Sequence, residues 1–341
     1  MPLTMRPNLI PTLPLLFILP SCASLAQAPD ARQRITQLAD ETSLLRPGTQ
    51  PWHLAMTFDL YDLAGKKKES GIVEEWWVSP TQRRLVITSP SFNRTIPTPS
   101  GDLEPVANRE AVLVSNLVDQ VVNPIPHFAK DEELSVDENP RQFGNATLTC
   151  LSVSRRLPAS NGKMGLDPGP VICLTPGSDT LRLIIDNSEG KAIIRNTVGS
   201  FRGTNVALHS TVDYYGKPAI DGKITTLETY DPTTNPVALT TDDRSPERVA
   251  GAVLAGKIIK KVPPTYPPLA KRRQIGGTVI FAALVGRDGK IHSLDVVSSP
   301  DGLLSDAALD AVKQWQYQPV LLNGQPTQVD TTITVHFNLN P

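Results

Sequence analysis

Net charge, cysteine and catalytic signatures are all scarce in this chain. Its 33 lysines and arginines nearly balance 34 acids, a net charge of −1, which argues against a general nucleic-acid or anionic-membrane surface. The five histidines (His53, His127, His209, His292, His336) never stand with a second His or Cys at metal-ligand spacing, so neither a metal nor a cofactor is expected. There is no Gly-x-Ser-x-Gly, no phosphate-binding glycine loop and no His-Glu-x-x-His. The acidic pairs Glu74-Glu75 and Asp242-Asp243 are sequence neighbours, which suits a solvated face better than a catalytic dyad. The chain is not expected to be an enzyme.

An uninterrupted membrane-length apolar run is also missing. Leu9 to Leu25 is apolar but broken by Pro11, Pro14 and Pro20, follows Arg6 and ends in Ala26-Gln27-Ala28, the layout of a secretory signal peptide over residues 1–28. Cleavage after Ala28 heads three fates, the others being acylation at Cys22 in Leu19-Pro20-Ser21-Cys22 and retention as an anchor. With three cysteines in all, either processing route leaves Cys150 and Cys173 as the pair available for a disulfide in an oxidising periplasm. Closing a loop of that length stabilises by about 3 kcal/mol in the chain-entropy model.

What is present is concentrated in the last quarter. Thr278 to Val285 is a β-branched and apolar run, Asp288-Gly289 is a hairpin signal of the type I′ kind, and Ile291 to Ser298 is the return strand. A helix is expected from Leu304 and Ser305, with Ser305 as its cap, Ala308, Val312 and Trp315 on one face, and Pro319 preventing its continuation. Val329 to Leu339 then alternates cleanly, a half-buried strand. Strand one is apolar on both faces, so the face its helix leaves open is expected to dock on the rest of the chain or on a second copy, a homodimer.

Tyr266-Pro267-Pro268-Leu269-Ala270-Lys271, Gly276-Gly277-Thr278-Val279, Asp288-Gly289-Lys290-Ile291, Trp315-Gln316-Tyr317-Gln318-Pro319 and Asn323-Gly324 together resemble the C-terminal domain of the TonB family of energy transducers, over residues 255–341. The resemblance implies a periplasmic module that binds an extended segment of an outer-membrane TonB-dependent transporter by strand addition, without nucleic acid. It implies a pairing edge at Val329, Thr331, Thr332, Ile333, Thr334, Val335 and Phe337, with Tyr266, Pro267, Trp315 and Tyr317 around it and Asp288, Gly289, Ser305 and Pro319 in structural roles. An ExbB/ExbD-type inner-membrane motor is implied only for a membrane-anchored chain. The long Pro-Lys or Pro-Glu spacer of typical TonB proteins is absent, the 32 prolines being scattered through turns.

Upstream, residues 30–46 suit a short helix, and Trp52, Leu54, Met56, Phe58 and Leu60 open a series of alternating strands that is interrupted by a helix carrying Val112, Leu113, Leu117 and Val121. In Trp76-Trp77 the two rings must face opposite sides of a strand. This texture over residues 50–230 is similar to the half-barrels of LolA-type periplasmic lipoprotein carriers. The expected class is therefore α+β: an antiparallel β half-barrel-like domain with one or two helices (29–240), a polar linker (241–254) at which the two parts should be separable, and a small ββαβ domain (255–341). An adaptor, a lipid or lipoprotein carrier and an envelope scaffold are the three functions in play. A filled core in the larger domain favours the adaptor or scaffold, an open apolar cavity the carrier.

Overall fold

The computed structural model describes residues 31–46, 48–80, 82–98, 109–126, 128, 132–158, 164–234, 247–248, 258–322 and 324–339. The signal-peptide stretch and most of the linker lie outside them.

Eleven strands form one antiparallel sheet: β1 (Trp52–Tyr61), β2 (Lys67–Ser79), β3 (Gln82–Thr88), β4 (Asn93–Thr98), β5 (Leu134–Phe143), β6 (Ala146–Pro158), β7 (Met164–Leu174), β8 (Leu181–Asp186), β9 (Lys191–Phe201), β10 (Thr204–Tyr214) and β11 (Lys217–Thr229). Their order is β4-β3-β2-β1-β11-β10-β9-β8-β7-β6-β5, a continuous meander except where β11 returns to pair with β1. Two hairpins turn on residue pairs with positive φ, Arg202-Gly203 (50° and 77°) and Tyr215-Gly216 (53° and 73°), the type I′ geometry that matches strand twist.

Alternation on β1 places Trp52, Leu54, Met56, Phe58 and Leu60 on one face, each at most 1% exposed. That face is covered by two helices, α1 (Ala31–Thr42) and α2 (Arg109–Val122). Helix α2 comes close because β11 carries Gly222; a Cβ there would stand 2.3 Å from Leu117 Cδ2. Trp77 lies on the covered face, stacked on Trp52 at 5.9 Å, while Trp76 stacks on His53 at 4.7 Å on the other. The expected disulfide is present between directly opposed Cys150 on β6 and Cys173 on β7, Cα atoms 4.0 Å apart, in a separate small apolar cluster.

The C-terminal module is a four-stranded sheet in the order β12 (Glu247–Arg248), β19 (Val329–Phe337), β14 (Gly277–Val285), β15 (Ile291–Ser298). Around it lie β13 (Ile258–Lys260), β16 (Gln316–Tyr317), β17 (Val320–Leu322), β18 (Gln325–Thr327) and the helices α3 (Pro268–Arg272) and α4 (Gly302–Val312). Odd-numbered β14 and β19 residues pack under α4 with Leu304, Ala308 and Val312. The other face of the sheet docks on the large domain: Ile280 and Ala282 of β14 and Val297 of β15 belong to the same apolar cluster as α2 and β1.

Three local expectations are corrected. Helix α4 begins at Gly302 and is capped by Asp301, whose Oδ1 accepts from Leu303 N at 2.8 Å; the Ser305 hydroxyl instead donates to Gly302 O at 2.9 Å. A carboxylate one turn earlier offered the stronger acceptor. The helix stops at Val312, so Trp315 lies beyond it and Pro319 is not what ends it; Gln316 and Tyr317 form strand β16 against β13. At Asp288-Gly289 only Gly289 has positive φ (74°), and Gly289 N donates to Gly286 O while Gly286 N donates to Lys290 O, a type I turn with a glycine bulge rather than type I′. Asp288 favours that form by accepting from Lys290 N at 3.0 Å. Gly289 is also needed for space, since a Cβ there would lie 2.0 Å from Tyr317 O.

Candidate partner-binding edge

β19 is paired along its whole length to β14, from Val329↔Val285 to Phe337↔Gly277, with no break in register. Its other side is the candidate edge. At the start of that side, Glu247 and Arg248 of β12 pair in parallel with Val329 and Asp330. The expectation of an edge open from Val329 onward is thus corrected for its first two residues, which the chain's own linker occupies. Past Asp330 no strand pairs with this side among the described residues.

The direction of the main-chain groups follows from one tyrosine. Tyr215 Oη accepts from Thr278 N and donates to Thr278 O, both at 2.8 Å, so both main-chain groups of Thr278 point away from β19. In an antiparallel ladder that direction alternates residue by residue, and members of a non-hydrogen-bonded pair turn away from each other. The pairs Thr278↔His336, Ile280↔Thr334 and Ala282↔Thr332 are of this kind. Thr332, Thr334 and His336 therefore present N–H and C=O outward, while Thr331, Ile333, Val335 and Phe337 spend theirs on β14.

The sequence-expected residues separate into three groups. Thr332, Ile333, Thr334, Trp315 and Tyr317 line one cleft of about 520 Å³. Trp315 is fixed by Nε1 donating to Val262 O at 2.7 Å and carries Lys261 Nζ 5.2 Å from its ring centre. Tyr317 is held by its N donating to Gly289 O at 2.8 Å, and burial pushes its phenol up to about 12. Tyr266 and Pro267 stand apart, at the end of the strand: the Tyr266 ring meets Phe337 edge-on at 5.4 Å, its hydroxyl donates to Ile275 O, and Pro267 precedes α3. Val329, Thr331, Val335 and Phe337 face inward and are buried.

Residues 262–339 match the family model for the Gram-negative bacterial TonB protein C-terminal region. The TonB protein of Vibrio cholerae is 35% identical to this chain over 80 residues, 23% of this chain and 33% of that protein. The chain thus spans about a third of the length of the curated relatives it matches. Among solved structures, the Pseudomonas aeruginosa TonB C-terminal domain is 26% identical, with 25% of this chain and 87% of that one covered and a TM-score of 0.23. A LolA superfamily protein from Nitrosomonas europaea is 10% identical, with 58% and 94% covered and a TM-score of 0.27.

The TonB-like module does not close the cleft alone. Val112 and Asn116 of α2, Glu189, Lys191 and Tyr214 complete its lining, with Ile258, Lys261 and Ile280 from the module. Of these, Val112 is legible in the sequence only as a helix-face residue, and the others from the large domain carry no local signal. Their proximity to β19 depends on how the two sheets dock, and no local pattern encodes it.

Proposed function

We propose that this protein is a non-catalytic adaptor of the Gram-negative periplasm. The bare side of β19 takes up an extended segment of an outer-membrane transporter as an added strand. The observation that carries this reading is the outward set of main-chain groups at Thr332, Thr334 and His336, in a segment whose sequence matches the TonB C-terminal family. A disulfide-bonded large domain suits an exported protein. We read the eleven-stranded sheet as a half-barrel filled by the chain itself: Leu113, Val114, Leu117 and Val121 of α2 are fully buried against it, which favours an adaptor over a lipid carrier.

Calorimetric titration with N-terminal peptides of outer-membrane transporters tests this. Thr332→Pro and Thr334→Pro remove an outward donor without touching the β14 ladder. Each should weaken binding about 10- to 100-fold, from the ~1–3 kcal/mol cost of stranding the partner's carbonyl. Thr332→Ala and Thr334→Ala keep the donor and should stay within about threefold, the scale of an exposed substitution. Equal losses from Pro and Ala, or no binding by the unaltered protein, would sink the strand-addition reading.

A further inference from the structure

The large domain is more than a carrier for the TonB-like module, because the cleft exists only where the two diverge. Even-numbered residues of β14 and β19 share one sheet face. At β14 that face is closed: Ile280 and Ala282 are 3% and 0% exposed against the large domain. One strand further out, Thr332 and Thr334 on the same face are exposed, because α2 and the start of β9 stand off from them. The resulting gap has the bare β19 edge as its floor. One wall carries Ile258, Lys261, Trp315 and Tyr317 and the other Val112, Asn116, Glu189, Lys191 and Tyr214.

A strand added to β19 lies about 4.8 Å beyond it, and its side chains alternate between the two faces of the sheet. Every second side chain of the partner would therefore enter the gap in front of the large domain, and the intervening ones would face Trp315 and Tyr317. The structure holds one example of a strand on this edge, β12, at Val329 and Asp330. At the large-domain wall the charged groups are Lys191 and Glu189, 2.5 Å apart, with side chains 19% and 28% exposed, beside the buried Tyr214 hydroxyl.

We propose that the large domain is the specificity wall of the strand-binding cleft. Through Lys191, Glu189 and Asn116 it selects the alternate side chains of an extended peptide whose backbone is held by β19. This rests on the strand-addition reading and extends it, since main-chain pairing alone is indifferent to side-chain identity.

The test uses the full chain and a synthetic library of eight-residue peptides varied in charge at alternate positions. Lys191→Glu and Glu189→Lys reverse one charge each in opposite senses, and the swapped double variant Lys191→Glu/Glu189→Lys keeps an ion pair and so reads the same preference if a single reversal unfolds the chain. Lys191→Glu should shift preference at one alternating set toward basic residues, and Glu189→Lys the same set toward acidic residues, each by about tenfold, leaving the intervening positions unchanged. Thr332→Pro should lower binding of every peptide without reordering them. If both charge variants keep the original ranking while Thr332→Pro abolishes binding, the specificity wall is refuted and strand addition stands. If the unaltered chain binds no peptide, both fall.

Discussion

The large sheet ends in β4 and β5 and the small one in β15 and, past the two-residue β12, in β19, and these four edges are not alike. β4 is six residues long and contains Pro97; β5 contains Pro140 within the exposed polar run Asp137 to Gln142. Proline and charge on an edge oppose further pairing. β15 carries no proline, and the large domain caps it instead: Arg109 Nε donates to Val297 O at 3.0 Å and Arg109 N to Asp295 Oδ2 at 2.8 Å. β19 has neither device beyond Asp330. Its outward residues are Thr332, Thr334 and His336, with no proline and no lysine among them. Three edges are blunted and, among the described residues, one is left bare past Asp330; it lies in the segment that matches the TonB C-terminal family.

The largest effect on that contrast is expected from Arg109→Ala. Arg109 is 6% exposed and also donates from Nη1 to Tyr61 O at 2.6 Å, so its loss strands one buried and one part-buried carbonyl. At ~1–3 kcal/mol per stranded group, the chain should lose about 3 kcal/mol. Calorimetric melting should fall by several degrees, with new self-association through β15 in sedimentation. A variant as stable and as monomeric as the parent would show that β15 was not protected by this residue.

An effect of comparable size, but dependent on pH, sharpens the contrast from the interior of the large sheet. Glu75 on β2 is 1% exposed, and burial raises its carboxyl to about 7 despite Arg83 Nη1 at 3.3 Å. Because the folded pKa lies above the unfolded one, the native state holds the extra proton between the two. Stability is therefore lost as pH rises from about 4.5 through about 7. The loss is of order 3 kcal/mol. Urea titrations at pH 5 and pH 8 should show the parent weaker at pH 8 and Glu75→Gln nearly level across the range. An unchanged slope in that variant would place the pH dependence elsewhere.

The smallest effect is expected at β5. Pro140→Val restores an N–H to a protected edge and should leave melting within about 1 kcal/mol of the parent. It should also raise the tendency to associate at high concentration, measured by light scattering. If it stays as monomeric as the parent, proline is not what keeps that edge quiet.

Elements built from neighbours in sequence were legible in advance. β19 alternates over nine residues, β1 contains the alternating set Trp52 to Leu60, and β15 matches its expected Ile291 to Ser298, because a period of two is written in the side chains themselves. The same logic explains what was missed. β4 and β5 are edge strands with proline and polar residues, so their hydrophobic alternation is weak although their pairing is extensive. The cap of α4 moved from Ser305 to Asp301 because two acceptors competed and the residues alone did not rank them.

The sequence by itself determined the strand-rich large domain, the pair of cysteines that bridge, and a C-terminal module with an alternating final strand. These rest on local periodicity and on counting. Tertiary structure alone decided which side of that strand is bare, and what faces it. Tyr215, held at positive φ in a hairpin turn, reaches Thr278 in the other module, and Lys191 reaches the cleft from more than a hundred residues before β19. Such contacts come from two apolar faces meeting, α2 against β14. The burial that drives the meeting is non-directional, so no sequence window records which residues it will bring together.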